Sequence, residues 1–387
     1  MVLFRDGKRS NVATYRNSGK KKRKKKSKAK MILTVAARLG ILLGVTILVV
    51  LGTFYLTLFK IKNSSEAAKN LLITTLMESG QLKFVARMVC TKSEIEEIVS
   101  SNAMQKMEVQ QNTSLITVQT SEDPENPEVS NEVFDSNGIR IEEISGRSFF
   151  AKMLIIKDPS QVIVGSTYPW SQYGKELDQI VSGAGGVAGV NGGIYVSTGN
   201  AGGSPMGVVV QEGKITYNNP GGLAGLYVIG LNNDNILIVD EITGMSAGQF
   251  ENYVAEKGIR DAVAFQDEAS DSNNHFVPLI INGEPRQLGG QGSGANPRTV
   301  IGQRKDGAIL LLVTDGRGTS GHLGATASDL IAIMQEYDAV NAANLDGGSS
   351  SSMVYNGKYE MTSVTFYYQN SSWKLPDAFV VKPKGGN

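Results

Sequence analysis

The sequence predicts an α+β fold: a strand-dominated mixed sheet with packed helices, preceded by an N-terminal transmembrane helix and a helical stalk. Three observations predict it. From about Val133 short apolar runs such as VIVG, GVVVQ, NILIVD and AILLLV alternate with glycine-rich turns, the texture of short paired strands. Two segments with helical periodicity interrupt them, near Ser246–Lys257 and at Thr326–Tyr337. Near the N-terminus, 21 residues without a charge (Leu39–Phe59) follow a dense basic run.

The N-terminal elements come first. Lys20–Lys30 holds nine bases in eleven residues. Leu39–Phe59, bracketed by Arg38 and Lys60, reaches ~30 Å as a helix, enough to cross a hydrocarbon core. The cationic excess precedes the span. The N-terminus is therefore expected in the cytoplasm and the rest outside, as a single-pass cell-membrane protein. The apolar segment is long for a signal-peptide core, and no small-x-small cleavage pattern follows it, which favours a retained anchor. The basic tail (1–38) is expected to touch anionic headgroups as well.

Charge separates this head from the body. Residues 1–60 hold 15 Lys/Arg and one acid, whereas 61–387 hold 23 bases against 36 acids, a net of −13. An acidic body argues against nucleic acid as a partner, because phosphate neutralisation needs a basic face. A single cysteine, Cys90, excludes an intramolecular disulfide framework and a Cys-rich zinc site. Two histidines, His275 and His322, leave little for a His-built metal centre.

Residues 60–110 read as a helical stalk, with a break at Gly80 and a capping box at Thr91-Lys-Ser-Glu94. Residues 111–132 are polar, carry two prolines and read as an exposed linker. The main domain is then 133–387. Hairpin turns are expected at Glu212-Gly213, Asn282-Gly283, Asp306-Gly307 and Asn356-Gly357. The helix at Thr326 opens with a capping box to Asp329 and carries Leu330, Ile331, Ile333 and Met334 on its apolar side.

The stretch Asn296–Met353 carries the chemistry. A two-residue turn at Asp306-Gly307 puts Lys305 opposite Ala308, and therefore Arg298 opposite Asp315. The strand ending in Thr314-Asp315-Gly316-Arg317, the capped helix, and a strand Ala339–Leu345 ending in Asp346-Gly347-Gly348 have the spacing of a βαβ unit. Both Asp-Gly endings then fall at one sheet edge, where open sheets carry ligands. Arg298, Asp315 and Asp346 are thus expected near one place.

Each of these also has a plain reading. Asp-Gly after a strand is commonly a turn, and Arg298 suits a buried ion pair as well as a phosphate. Gly347–Ser352 is either a flexible loop or a turn whose N–H groups face an anion or sugar. Gly192-Gly193 after Asn191 serves close packing or close ligand approach. His322 reads as a solvent-exposed loop residue. His275, in an acidic Asn-rich loop, leaves a calcium site open, although the spacing is not that of an EF-hand. Cys90 reads as packed rather than reactive. No Walker loop, Rossmann fingerprint or nucleophile elbow is present, so no cofactor is expected to be required, with a divalent cation such as Ca²⁺ or Mg²⁺ left open.

NGGIY at 191–195, Pro205-Met-Gly207 leading to VVVQEGKI, NPRTVIGQ at 296–303, TDGR at 314–317 and NLDGGSSSSMVYNG at 344–357 occur in one order. Over roughly 135–385 the chain resembles the phosphodiester glycosidase family. That family includes the enzyme that uncovers mannose 6-phosphate by removing N-acetylglucosamine, and membrane-anchored bacterial proteins described as exopolysaccharide-related. NPRT-x-IG and NLDGG-x-SS together carry the resemblance. Ser349 stands where the family usually has a third glycine, and Ile194-Tyr195 where it often has an aromatic pair, departures that bear on substrate fit.

The resemblance implies hydrolysis of a sugar-1-phosphodiester on an envelope glycopolymer or glycoconjugate, with the domain outside the membrane. It implies Asp346, Asp315 and Arg298 as catalytic residues. Asn191, Gly192, Gly193, Thr299, Arg317, Gly347, Gly348 and Ser350 are implied as substrate-binding. Arg298, with Arg317, is expected to hold the phosphate, and one of the two aspartates to act as nucleophile or base. Two other readings stay open: a non-catalytic glycan-binding or scaffold module of the envelope, and a metal-dependent phosphodiesterase whose carboxylates hold the ion.

Overall fold

The computed structural model describes residues 19–79, 82–118, 133–267, 275–363 and 371–385. The start of the basic tail, Gly80, most of the expected linker (119–132) and the centre of the acidic loop (268–274) lie outside the described residues. The chain divides into two compact units, Met1–Asn63 and Ser64–Asn387.

In the first unit the described residues form helix α1 (Gly19–Lys62). Its portion Ser27–Lys62 is long and apolar enough to cross a membrane, judged by length and composition. The helix extends beyond the uncharged core at both ends, because the flanking Lys and Arg are good helix formers.

The second unit opens with three short helices, α2 (Glu66–Glu78), α3 (Lys83–Val89) and α4 (Lys92–Ser101). The Thr91/Glu94 capping box forms as the sequence predicts. The stalk helices carry a buried apolar face. Ile73, Leu76, Val85, Val89, Ile95 and Ile98 are buried, and an apolar face of this size is stable only when covered. Thr75 Oγ1 accepts from Ala295 N at 3.0 Å, and Ala103 O accepts from Gly289 N at 2.9 Å, so the helical segment is built into the domain. Cys90 is buried and unbridged. The first part of the expected linker is also docked: the Gln111 side chain pairs with the backbone of Leu237 and Val239.

Seventeen strands follow among the described residues. They are β1 (Ile139–Ser145), β2 (Phe150–Ile156), β3 (Val162–Ser166), β4 (Ala188–Asn191), β5 (Val208–Gln211), β6 (Lys214–Asn218), β7 (Leu226–Asn232), β8 (Leu237–Glu241) and β9 (Ile259–Gln266). Then come β10 (Pro278–Ile281), β11 (Glu284–Pro285), β12 (Thr299–Arg304), β13 (Ile309–Thr314), β14 (Ala339–Asn344), β15 (Met353–Tyr355), β16 (Lys358–Met361) and β17 (Asp377–Val381). Three more helices are α5 (Leu177–Gly183), α6 (Ala247–Lys257) and α7 (Ala327–Glu336).

The strands form three sheets: β1-β2-β13-β12-β14-β10-β11, β16-β15-β4-β17-β3 and β6-β5-β9-β7-β8. One core lies between all three, with Ile301, Leu311 and Val313 from the first sheet, Val190 and Phe379 from the second, and Ile229 and Val263 from the third. The outer face of each sheet is covered by one helix. Leu330, Ile333 and Met334 of α7 cover the first, Ile180 and Val181 of α5 the second, and Phe250 and Val254 of α6 the third. This explains why β13 is apolar without alternation: Ile309, Leu311 and Val313 enter the central core while Leu310 and Leu312 meet the α7 side. At ~1.5–3 kcal/mol per buried aliphatic side chain, these faces supply the main driving force for folding.

Every ladder among these strands is antiparallel. The expected βαβ pair is parallel in direction, but β12 lies between β13 and β14, antiparallel to both. The ends carrying Asp315 and Asp346 still fall at one edge. Three of the four expected turns are two-residue turns with both central residues at positive φ, at Glu212-Gly213, Asn282-Gly283 and Asn356-Gly357. The fourth differs. Arg304 faces Ala308, making a three-residue turn with Gly307 at φ 93°. Asp306 Oδ1 accepts from Ala308 N and the carboxylate also pairs with Arg304, which holds Asp306 in an ordinary turn conformation.

Candidate active site

That one-residue difference changes the site. The observed register places Thr299 opposite Val313, so Arg298 faces Thr314 and not Asp315. A slip of one residue moves a side chain to the other face of a sheet. The Arg298 guanidinium accordingly does not meet Asp315. Its Nη2 donates to Glu78 Oε2 at 2.6 Å and to Gly294 O at 3.1 Å, and its guanidinium carbon lies 4.9 Å from the centre of the Phe276 ring.

Asp315 is held elsewhere. Oδ1 accepts from Phe150 N and Oδ2 pairs with His322 Nδ1, both at 2.7 Å. His322, expected as a solvent-exposed loop residue, is this aspartate's partner. Both carboxylate oxygens are engaged, and Asp315 is absent from the lining of the cavity described next. Its carboxylate instead closes the loop that carries Arg317, whose N–H donates to Leu323 O at 3.1 Å.

A cavity of about 170 Å³ opens at the ends of β9, β12 and β14. Arg298, Arg317, Asp346, Gly347 and Gly348 line it, and Glu78 completes one wall. Arg317 Nη1 donates to Ser349 Oγ at 2.7 Å, a neutral partner. Desolvation and the like charge of Arg298 lower the pKa of Arg317, so the two guanidiniums repel each other across the cavity. Asp346 reaches the cavity, yet the protein around it strips its hydration. Its carboxyl is pushed up to about 6, against the opposing pull of Ser350, the Gly347 N–H and Arg317.

The other expected binding residues stand behind Asp346 as braces. Asn191 Nδ2 donates to Asp346 O at 2.7 Å, and its Oδ1 accepts from Thr299 Oγ1 at 2.7 Å and Ser352 N at 3.2 Å. Asn191 and Thr299 are buried, so they tie the first and second sheets together beneath the site and do not face the cavity. Ser350 Oγ lies 2.9 Å from Tyr195 Oη, also buried. Gly192 and Gly193 serve close packing: a Cβ on Gly192 would come within 2.2 Å of Asp377 Oδ1, and one on Gly193 within 2.5 Å of Ala264 O.

Two acidic residues at the site were not expected from the sequence. Asp377, at 1% exposure, accepts from Gly193 N at 2.8 Å through Oδ1, while its Oδ2 is buried with no hydrogen-bond partner. Burial first, then the negative charge of Asp346, push its carboxyl up to about 7. An aspartate opening a strand reads as a turn residue, which hides its place at the site. Glu78 accepts from Gly294 N, from Asn296 Nδ2 at 3.0 Å and from Arg298. A signal for it did exist: a carboxylate in the last turn of a helix opposes the macrodipole and calls for a cationic partner. Among the described residues, no group of three or more His, Cys, Asp and Glu is placed to hold a metal ion.

With this geometry in place, the chain can be compared with known proteins. Residues 184–382 match the phosphodiester glycosidase family. The chain belongs to that family. Its members are hydrolases of glycosyl phosphodiester bonds. Over 210 residues it is 26% identical to mouse N-acetylglucosamine-1-phosphodiester alpha-N-acetylglucosaminidase, covering 48% of this chain and 35% of that protein. Over 64 residues it is 41% identical to the SPbeta prophage-derived uncharacterized protein YomE of Bacillus subtilis (strain 168), covering 16% of this chain and 10% of YomE. The chain thus spans only a minor part of these curated relatives. The fold is similar to the zebrafish N-acetylglucosamine-1-phosphodiester alpha-N-acetylglucosaminidase catalytic domain, solved in a form auto-inhibited by its pro-peptide. The TM-score is 0.50 at 15% identity, covering 73% of this chain and 97% of that one.

Proposed function

We propose that the protein is a membrane-anchored phosphodiester glycosidase that removes a sugar from a sugar-1-phosphodiester on an envelope glycopolymer or glycoconjugate, acting outside the cell membrane. The observation that carries this reading is that Arg317 and Asp346 line one cavity, beside a second guanidinium, Arg298. A phosphodiester sugar presents an anionic leaving group bonded to an electrophilic anomeric carbon, and a cavity lined by guanidiniums and a carboxylate complements both. Localisation rests on the apolar helix α1 and the basic residues before it.

In the reaction, Arg317 binds the phosphate and stabilises negative charge as the C1–O bond breaks. The leaving phosphate departs as a stable anion, so it needs little protonation. Asp346, mostly ionised at pH 7 with its pKa near 6, meets the developing oxocarbenium ion at C1, as base for water or as nucleophile. Water adds its oxygen to C1, and its proton leaves through Asp346. The products are the free sugar and a phosphomonoester. Retention at C1 identifies Asp346 as nucleophile, and inversion as base. Asp315 positions the Arg317 loop through His322 and takes no part at C1.

Glu78 adds a second level to this reading. Its carboxylate occupies three donors, Arg298 Nη2, Asn296 Nδ2 and Gly294 N, that suit the oxygens of a phosphate. Helix α2 therefore holds Arg298 paired through Glu78, and substrate phosphate competes with Glu78 for it.

The test uses the full chain in detergent with UDP-N-acetylglucosamine as surrogate and products followed by mass spectrometry. N-acetylglucosamine and UDP, absent with Asp346→Asn, are expected. N-acetylglucosamine 1-phosphate, with activity lost to chelator, would favour a metal phosphodiesterase instead. Glycan binding without turnover would favour the scaffold reading.

A further inference from the structure

The strand ends at the site belong to a longer rim. Antiparallel register sets the start of β17 (Asp377) beside the ends of β3 (Ser166) and β4 (Asn191), and the start of β15 beside the end of β4. The β3 end thus lies two strands from the β4 end along this rim, about 10 Å at ~4.8 Å per strand. The segment after β3 stays there. Thr167 N donates to Pro376 O at 2.8 Å, and Lys175 N to Leu375 O at 3.1 Å. Tyr173 bridges to Gly202, and Pro205 bridges to Tyr195, whose hydroxyl meets Ser350.

This segment is rich in exposed aromatic rings. Tyr168 and Tyr173 are 51% and 61% exposed. Trp170 lies between them, edge-on to Tyr168 at 5.8 Å and to Tyr217 at 6.3 Å, with its indole N–H donating to Thr216 O at 2.8 Å. The indole is therefore anchored, which lowers the ordering cost of any ligand laid on the cluster. Lys374 Nζ stands 5.3 Å from the centre of the Tyr173 ring. Held aromatic faces suit the C–H faces of hexose rings, and the neighbouring ammonium suits a phosphate.

We propose that Tyr168, Trp170 and Tyr173, with Lys374, form a second subsite on the rim that holds the continuing chain of an anionic glycan whose terminal sugar phosphodiester lies at Asp346. The occupant is a glycan with phosphate in its backbone, because the subsite pairs aromatic faces with a cation and continues the rim that carries Arg317. A nucleotide sugar carries no further hexose to lay on the aromatic faces. The assignment rests on the glycosidase reading for the identity of the cavity at Asp346, but the subsite is testable by itself.

The experiment uses the full chain in detergent carrying Asp346→Asn, so that ligand is not consumed. Binding of UDP-N-acetylglucosamine and of a tetramer of N-acetylglucosamine 1-phosphate is measured by calorimetry, with and without Tyr173→Ala and, separately, Lys374→Met. Tyr173 is exposed and Lys374 is half-buried. Each is expected to weaken tetramer binding about tenfold and to leave the nucleotide sugar within twofold. The same pattern in KM for the Asp346 enzyme, with kcat unchanged, would confirm it in turnover. Unaltered tetramer binding in both variants, or equal losses for both ligands, overturns the subsite. If the Asp346 enzyme turns over neither ligand, the glycosidase reading fails, while the calorimetric comparison still decides the subsite.

Discussion

The Glu78 carboxylate, from a helix more than 200 residues upstream in the chain, meets the Arg298 guanidinium at 2.6 Å inside the cavity lined by Asp346. Both side chains are almost fully buried. Helix α2 is thereby joined to the cavity, and the arginine expected to meet substrate is already paired.

Glu78→Gln separates two consequences of this pair. Removing one partner of a buried ion pair leaves the other charge uncompensated, a cost of about 3 kcal/mol. The same change releases Arg298 toward phosphate. The expected variant is less stable in denaturant melts but has a higher kcat/KM on UDP-N-acetylglucosamine. A fall in both quantities would mean that Glu78 only supports Arg298.

Asp346→Asn should lower kcat by ~10²–10⁴ with little change in KM, the range for loss of a proton-transferring group. In the unchanged enzyme, activity should fall as pH drops through about 6, because protonation removes the ionised form. A kcat that is flat from pH 5 to 8 contradicts this role.

Asp315→Ala should act on structure first. It strips partners from Phe150 N and His322, and a buried donor left unsatisfied costs ~1–3 kcal/mol. Displacement of the Arg317 loop should then raise KM more than it lowers kcat. A kcat loss matching that of Asp346→Asn would restore Asp315 to the chemical step.

Asp377 sets a pH dependence of stability. Its folded pKa of about 7 lies above the ordinary ~4, so between these values the folded state binds the extra proton. The stability it contributes is fully present below about pH 4 and is lost as pH rises through 7. Asp377→Asn, isosteric and uncharged, should therefore raise stability at pH 8 and flatten the fall in Tm between pH 5 and 8. A steeper fall in the variant would contradict the assignment.

How much of this was legible in the sequence depended on whether local chemistry decided the outcome. The capping boxes at Thr91 and Thr326 and three of the four Gly-containing turns formed as expected, because each is decided within four residues. Of Arg298, Asp315 and Asp346, expected near one place from strand direction, Arg298 and Asp346 line one cavity and Asp315 does not. The Arg298–Asp315 contact failed on a single turn residue, since Asp306 bonds its own turn. Thr299 and Asn191 were expected to bind substrate and proved to brace two sheets, a matter of depth that motif matching does not convey. Glu78 and Asp377 are brought in by long-range packing, which spacing along the chain cannot reveal.

Cleavage at the anomeric carbon is read out by turnover of UDP-N-acetylglucosamine in ¹⁸O-labelled water. Mass spectrometry of both products, before the free sugar exchanges its anomeric oxygen, locates the label. The label is expected in N-acetylglucosamine and not in UDP. Label in a phosphate group would show attack at phosphorus and contradict it.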